Sequence, residues 1–198
     1  MSQFVEEGHL GGYVPGGDEA TYYPDLWRWL VDDYGVDSVL DVGCGDGVAL
    51  NFFKKRIKAN KNRKYLLSKI RGIEGVGQAD EAIIQHDYTT GPCPAPWHEN
   101  FFDLIWCCEF VEHVEEQYVP NFLDTFTTGK TVLMTHAEPG QQGYHHVNCQ
   151  PASYWVQKMR EIGYTLNSEL TIKTRELAGK NTSPWNHYVR SGLAFERG

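Results

Sequence analysis

Apolar residues recur at helical spacing in four segments of the chain. After Pro24, a residue suited to the first turn of a helix, the apolar positions repeat every three or four residues and stop before Gly35. The repeating positions are Leu26, Trp27, Leu30, Val31 and Tyr34. Similar spacing predicts helices over 48–58, 119–126 and 153–162.

Short apolar runs separate these helices and predict strands. They cover residues 36–41, 70–76, 82–86, 102–108 and 131–136, and two final strands are predicted at 166–172 and 188–195. Strands that alternate with helices form a parallel sheet in α/β proteins. A chain of 198 residues has the size of one domain, and no internal repeat or linker divides it. The sequence therefore predicts a single α/β domain over 1–198.

The first strand ends in an acidic residue followed by alternating glycines, Asp41, Gly43, Gly45 and Gly47. Glycines allow backbone N–H groups to approach a ligand that a side chain would block. A helix that starts after this turn points its positive end at the ligand. The nicotinamide fingerprint needs Gly-x-Gly-x-x-Gly, and Val48 stands where its third glycine should be.

This segment resembles the first motif of class I S-adenosylmethionine (SAM)-dependent methyltransferases, and the resemblance covers about residues 22–172. It implies a Rossmann-like three-layer α/β sandwich with a mostly parallel seven-stranded sheet. It also implies an enzyme that transfers methyl groups and uses SAM as its cofactor. The resemblance assigns Asp41, Gly43, Cys44, Gly45 and Gly47 to the cofactor site.

Two further acids suit the adenosine part of SAM. A SAM site needs an acid for the ribose hydroxyls at the end of the second strand, and Glu74 is the first acid available there. An acceptor for the adenine amine is expected at the end of the third strand, where Asp87 stands and Tyr88 would line the ring. The alternatives are a solvated turn acid for Glu74 and a capping or turn aspartate for Asp87.

The fourth strand leads into Glu109, Glu112 and His113. This segment resembles the Asp-Leu-Ile…Glu-x-x-Glu-His segment of methyltransferases that act on small molecules and sugars. The resemblance implies that Glu109 meets the methionine part of SAM and that Glu112 and His113 lie nearby. The alternative is that Glu112 and His113 only fix the strand–helix corner by hydrogen bonds. Enzymes that methylate nucleic-acid bases carry Asn/Asp-Pro-Pro-aromatic at this point, so base methylation is disfavoured.

Three histidines, His136, His145 and His146, follow the fifth strand, where acceptors bind in this fold. A hydroxyl acceptor must lose a proton, and histidine titrates near neutral pH. We therefore predict that His145 and His146 are catalytic, with His113 as a further candidate, and that His136 contacts the substrate. The alternatives are a structural histidine pair, or zinc or magnesium held by His145, His146 and Cys149; the prediction includes no metal.

The N-terminal segment 1–23 is rich in glycine and tyrosine. Flexible backbone with interleaved aromatic residues is typical of a segment that folds over a ligand as a lid. On this interpretation Tyr13 and Tyr22 contact the substrate. The alternative is a frayed terminus.

Charge and composition narrow the classes of function. The net charge of −8 disfavours nonspecific binding to nucleic acid, although a basic insertion at 54–71 holds nine of the 18 lysines and arginines. That insertion is expected to be a solvated helix face, with a polyanion-binding module as the alternative. No apolar run reaches the length of a membrane span and no signal pattern opens the chain, so a cytoplasmic protein is expected. The five cysteines fit no disulfide framework or zinc-site spacing.

Together these features predict methyl transfer from SAM to a small-molecule or glycan acceptor, at a hydroxyl oxygen. One alternative is an N-methyltransferase of a small amine or a protein side chain, because an acidic surround favours a cationic acceptor. Another is a SAM-binding partner subunit without catalytic activity. The sequence does not indicate the oligomeric state.

Overall fold

A seven-stranded sheet forms the centre of the molecule. The computed structural model describes residues 8–10, 15–59, 69–76, 80–94, 97 and 101–198. The strands are β1 Val39–Val42, β2 Ile70–Glu74, β3 Ile83–Gln85, β4 Phe102–Cys107, β5 Gly129–Met134, β6 Tyr164–Leu166 and β7 Leu193–Arg197. Their order across the sheet is β3-β2-β1-β4-β5-β7-β6.

The sheet is mixed in direction. Strand β1 pairs in parallel with β2 and β4, and the pairs β2–β3 and β4–β5 are also parallel. Strand β7 pairs antiparallel with both β5 and β6. This corrects the mostly parallel sheet that the sequence predicts: the chain inserts β7 in the opposite direction between β5 and β6.

Six helices cover the two faces of the sheet and complete three layers. They are α1 Pro24–Asp32, α2 Val48–Ala59, α3 Val119–Phe126, α4 Ala152–Glu161, α5 Ser168–Ala178 and α6 His187–Ser191. Side chains of α1, α2 and α5 share one core with Val39 and Leu104, whereas α3 and α4 share the other with Leu40 and Ile105. Successive strand residues point to opposite faces, so the central strands β1, β4 and β5 contribute to both cores. No helix in the described part of the chain is long and apolar enough to cross a membrane.

The two strands predicted near the C-terminus are wrong in their bounds and partly in their type. Most of 166–172 belongs to α5, because Asn167 caps that helix by accepting a hydrogen bond from the Leu170 amide at 2.8 Å. The segment 188–195 divides into α6 and β7, and Asn186 caps α6 in the same way through the Val189 amide. In both places a side-chain cap favours a helix where the apolar run alone suggested a strand.

Four buried aromatic residues join the N-terminal part of the chain to the C-terminal helix. The ring of Trp106 stacks on Tyr188 at 5.3 Å and meets Tyr23 and Trp27 edge-on. The Tyr23 hydroxyl donates to the Ala20 carbonyl at 2.6 Å and accepts from the Tyr188 amide at 3.0 Å. This cluster fixes α6 against β4 near the carboxyl ends of the parallel strands, where the site lies.

The Tyr23 hydroxyl provides a test of this junction. Tyr23→Phe leaves the buried Tyr188 amide and Ala20 carbonyl without a partner, and we expect it to lower the free energy of unfolding by about 1–3 kcal/mol. Urea denaturation measures the change. Tyr22→Phe is the matched control, because Tyr22 is 42% exposed and should lose almost nothing. Equal stability of the two variants would contradict the role of this hydroxyl.

Candidate active site

The carboxyl ends of β1, β2 and β4 border a cavity of about 870 Å³. Ligands bind outside the carboxyl ends of strands in open α/β sheets. Eleven of the residues predicted from the sequence line it: Asp41, Gly43, Cys44, Gly45, Glu74, Asp87, Tyr88, Glu109, His113, His145 and His146. The structure therefore brings the expected cofactor residues and the expected catalytic histidines to one place.

The glycine turn brings backbone close to this cavity. Gly43 has a φ of 73°, in the left-handed region that favours glycine, and a Cβ there would lie 2.6 Å from the Phe110 ring. Its amide donates to the Ile73 carbonyl at 3.0 Å, which joins the turn to β2. Helix α2 begins directly after the turn, and Val48 and Ala49 of its first turn line the cavity. The positive end of α2 thus faces the cavity, where it would favour an anionic group of a ligand.

Glu74 stands at the end of β2 and holds the glycine turn through its carboxylate. The carboxylate accepts hydrogen bonds from the Gly45 amide at 2.7 Å and from the Gly75 amide at 2.9 Å. Glu74 is buried, and burial raises the pKa of its carboxyl although these hydrogen bonds oppose the shift. The predicted ribose acid is therefore a fixed part of the cavity wall.

Asp41, at the carboxyl-terminal part of β1, is a second buried acid in the wall. It is 3% exposed. Burial raises the pKa of Asp41 well above its ordinary value, and the neighbouring Glu74 raises it further. The cavity therefore holds two adjacent carboxyl groups that resist joint ionisation.

Asp87 combines a structural contact with an exposed face. Its Oδ1 accepts from the Thr89 amide and hydroxyl, both at 2.8 Å, and so caps the short 3₁₀ helix Tyr88–Thr90. Its Oδ2 lies 3.0 Å from Nε2 of His9. Burial disfavours ionisation of Asp87, but the hydrogen bonds from His9 and Thr89 outweigh it and lower its pKa. The capping role that sequence analysis left as an alternative is present, and the same carboxylate also lines the cavity.

Glu109 follows β4 in a strained conformation and is held from two sides. Its φ is 54°, which is uncommon for a residue other than glycine. The Thr135 hydroxyl donates to Oε1 at 2.9 Å, and Nδ1 of His187 lies 2.8 Å from Oε2. Burial opposes ionisation of both partners, but their contact lowers the pKa of Glu109 and raises that of His187. Sequence analysis missed His187; an Asn immediately before it, a typical helix cap, was the available signal.

Glu112, His113 and His146 form a cluster beside the cavity; His113 and His146 line it, and Glu112 is not among the described lining residues. Each offers one ligand atom, and these atoms lie within 4.8 Å of one another. Glu112 is fully buried, and neither of its carboxylate oxygens has a hydrogen-bond partner among the described residues. The His146 Nδ1 lies 3.2 Å from the Gln141 carbonyl, which can only accept, so Nε2 keeps its lone pair. Burial and the neighbouring His146 lower the pKa of His113 to about 4, which keeps that ring neutral.

This cluster differs from the metal set that sequence analysis considered. His146 belongs to it, but its partners come from the segment after β4 rather than from the rest of the histidine loop. Cys149 instead directs its thiol at the Gln141 carbonyl at 3.5 Å. The pairing was not visible in the sequence because Glu112 and His146 are far apart along the chain.

His145 occupies a separate position in the same loop. Its φ of 46° again lies in the left-handed region. Its Nε2 is buried and has no hydrogen-bond partner among the described residues. Such an unsatisfied nitrogen is costly in a folded protein and is available to a ligand.

Three predicted residues lie elsewhere. Gly47 and Tyr22 are not among the described residues that line the cavity, and Tyr22 instead borders a second cavity of about 520 Å³. His136 is also absent from the lining; it is 1% exposed, and burial lowers its pKa. Tyr13 lies outside the described residues, as does the middle part, 60–68, of the basic insertion at 54–71.

The described part of the N-terminal segment crosses the cavity. The Tyr144 hydroxyl donates to the Gly8 carbonyl at 3.1 Å, and His9 meets Asp87. Leu10 packs so closely on Gly75 that a Cβ there would lie 2.6 Å from it. The segment therefore touches both the cofactor residues and the histidine loop.

The lining of the cavity is acidic. Its described residues include eight aspartates and glutamates, six histidines and neither lysine nor arginine. Such a surface attracts cations and repels anions.

No protein-family model matches the sequence, and a search of curated proteins finds no relative. Among solved structures, 208 chains match. The methyltransferase domain of bacterial CtHen1-C is 14% identical with a TM-score of 0.53, over 88% of this chain and 98% of that one. Geranyl diphosphate C-methyltransferase from Streptomyces coelicolor A3(2), solved with Mg²⁺ and S-adenosyl-L-homocysteine, is 14% identical with a TM-score of 0.52, over 87% and 77%.

A third structure, the [4+2]-cyclase SpnF, is 14% identical with a TM-score of 0.50, over 99% of this chain and 87% of that one. At these identities the likeness shows the fold alone. The chain has the α/β Rossmann-like fold of class I SAM-dependent methyltransferases.

The buried carboxyl of Asp41 generates a prediction about pH. Because its pKa is raised in the folded state, the folded protein holds the proton more tightly than the unfolded chain. The free energy of unfolding should therefore fall as the pH rises from the ordinary carboxyl pKa of about 4 through the raised value. Asp41→Asn removes this titration, so the fall should be smaller and the variant more stable at neutral pH. Urea denaturation at a series of pH values measures it.

Asp33→Asn, at an exposed position, is the control for the loss of one negative charge. An unchanged pH profile in Asp41→Asn would show that ionisation of the buried Asp41 carboxyl does not lower the free energy of unfolding.

Proposed function

We propose that the protein transfers a methyl group from SAM to a hydroxyl oxygen of a small-molecule or glycan acceptor. The observation that carries the proposal is that the glycine turn, Glu74 and the histidine loop all line the same cavity. Methyl transfer needs little more than the donor and the acceptor held in line, since proximity and alignment supply much of the rate. A cavity of about 870 Å³ has the size of sites that hold a cofactor or a drug-sized ligand.

In this proposal the wall beside β1 and β2 takes the adenosine of SAM. Glu74 accepts hydrogen bonds from the ribose hydroxyls, and Asp87 accepts one from the adenine amine beside Tyr88. The methionine part then lies toward Glu109 and His187, because Phe110, next to Glu109, packs on Gly43. The N-terminal segment acts as the lid, since His9 and Gly8 already bridge the two halves of the cavity.

A hydroxyl acceptor also has to lose its proton. His145 is the candidate base that the geometry favours, because its Nε2 is buried and no described residue is its hydrogen-bond partner. His113 and His146, which sequence analysis also put forward as catalytic, suit a different task. Two imidazole nitrogens beside a buried carboxyl group are the kind of ligand set from which divalent-cation sites are built.

We therefore include a divalent cation at Glu112, His113 and His146 in the proposed function. The unsatisfied oxygens of Glu112 support this, since a fully buried carboxylate without a partner is costly. The Gln141 carbonyl fixes the His146 ring, as second-layer partners of metal ligands do. A cation there would lower the pKa of a coordinated acceptor hydroxyl.

The acidic lining favours a second candidate. Eight carboxylates without a lysine or arginine among the described lining residues would attract a protonated amine, so N-methylation of a small amine stays the alternative acceptor chemistry. A cation requirement distinguishes the two, because an amine that has given its proton to a base such as His145 is already a nucleophile and needs no cation.

The cofactor assignment is tested by calorimetry with S-adenosylhomocysteine, the demethylated product. The wild-type protein should bind it and should not bind NAD. Glu74→Ala should weaken binding by about tenfold or more, because charge-assisted hydrogen bonds to the ribose contribute about 1.5–3 kcal/mol each. Glu81→Ala, at an exposed position before β3, should leave the affinity unchanged. Saturable NAD binding without S-adenosylhomocysteine binding would end the proposal.

The cation site is tested with Mn²⁺ and electron paramagnetic resonance, in the presence of S-adenosylhomocysteine. Wild-type protein should bind one Mn²⁺, and Glu112→Gln or His113→Ala should weaken the affinity by about tenfold or more. The control is Glu116→Gln, which removes an exposed acid of the neighbouring 3₁₀ helix. In EDTA, Glu112→Gln should be at least as stable as wild type, because burial raises the pKa of Glu112 well above its ordinary value and the amide replaces an acid that is costly to ionise there. Equal Mn²⁺ affinity in Glu112→Gln would exclude this site.

A further inference from the structure

Trp185 is exposed at the cavity although hydrogen bonds hold the loop that carries it. It is 63% exposed, the highest value among the aromatic side chains of the described residues, and it lines the cavity two positions before His187. A single exposed aromatic residue needs no explanation on an ordinary surface. An exposed aromatic residue that is held in place at the opening of a candidate site does need an explanation.

The loop that carries Trp185 is fixed by its own hydrogen bonds. The Asn181 carboxamide accepts from the Ser183 amide at 2.8 Å, and the Ser183 hydroxyl accepts from the Trp185 amide at 3.3 Å. The Asn186 carboxamide then donates to the Ala178 carbonyl at 2.8 Å, which ties the loop to the end of α5. The backbone on both sides of Trp185 is therefore anchored.

The indole ring itself is held on one side. The Arg190 guanidinium lies over the ring, 5.4 Å from its centroid, and donates to the Pro184 carbonyl at 3.1 Å. A cation on one face leaves the other face of the ring for a ligand. Because the ring is already oriented, a ligand that packs on it loses little additional freedom of the side chain.

The charge of the cavity selects among ligands that stack on an indole. Nucleobases and sugar rings both do so, but a nucleic acid brings phosphates that proteins neutralise with lysine and arginine. The described lining residues include neither, and eight of them are acids. Arg190, which belongs to α6, already stacks on the Trp185 ring and donates to the Pro184 carbonyl. The lining therefore favours an uncharged ring.

We propose that Trp185 is a specificity-determining residue that stacks on an uncharged sugar ring of the acceptor. This inference rests on the proposed function and narrows it: a neutral saccharide carries both the ring for Trp185 and the hydroxyl groups for the histidine side of the cavity. The stacked ring lies beside His187 and Glu109, where the donor methyl group is expected. The acidic lining disfavours acceptors whose phosphate or carboxylate groups point into the cavity.

The experiment measures transfer of tritiated methyl from SAM, with Mn²⁺ present, into a panel of neutral oligosaccharides. Sugar phosphates and a short single-stranded RNA are assayed in parallel. The neutral oligosaccharides should include the best acceptor. With that acceptor, Trp185→Ala should raise KM about tenfold with little change in kcat, and Trp185→Phe should restore most of the loss. Ile172→Ala, which removes an exposed apolar side chain of α5 outside the cavity lining, is the control.

Several outcomes would contradict the inference about Trp185. Preferential methylation of the RNA or the sugar phosphates would refute the uncharged acceptor, and so would the absence of transfer to every neutral oligosaccharide. An unchanged KM in Trp185→Ala would remove the residue from acceptor binding. Equal effects of Trp185→Ala on KM and on binding of S-adenosylhomocysteine would show a structural role. A wild-type protein that fails to bind S-adenosylhomocysteine would instead refute the proposed function itself.

Discussion

The hydrogen bond from the Gly45 amide to the Glu74 carboxylate joins the ends of the first two strands where the cavity opens. The glycines of this turn have no side chains that could hold it, so its shape depends on the hydrogen bonds that their backbone amides make. Glu74 supplies one, and the Ile73 carbonyl supplies another through the Gly43 amide. The position of α2, the close approach of Phe110 to Gly43 and the wall of the cavity all follow from this turn.

The same edge of the sheet contains costly features that stability alone does not explain. Asp41 is a buried acid, and Glu112 and His145 have buried polar atoms with no hydrogen-bond partner among the described residues. Glu109 and His145 are also strained in backbone conformation. Strain and unsatisfied groups concentrate at functional sites because ligands complete them. The buried aromatic cluster of Tyr23, Trp106 and Tyr188 packs β4 against α6 at the same edge. The strained residues are therefore attached to a closely packed part of the fold.

Local pattern predicted the features of the site that lie within one segment. The glycine turn, Glu74 and the strand before Glu109 are each readable from a few neighbouring residues, and the structure has them at one edge. The contacts of His187 with Glu109, of His9 with Asp87 and of His146 with Glu112 join distant segments, and nothing in the periodicity of the chain indicates them. The error at 166–172 has a local cause, since the capping asparagine at 167 outweighed an apolar run that resembles a strand.

The central claim is that one cavity holds the methyl donor and a divalent cation next to each other. A crystal structure of the protein grown with S-adenosylhomocysteine and Mn²⁺, with anomalous data collected for manganese, tests it most directly. The account predicts the ribose at Glu74, the sulfur near Glu109, and one anomalous peak among Glu112, His113 and His146. A ligand bound elsewhere, or a cluster without an anomalous peak at saturating Mn²⁺, would contradict it.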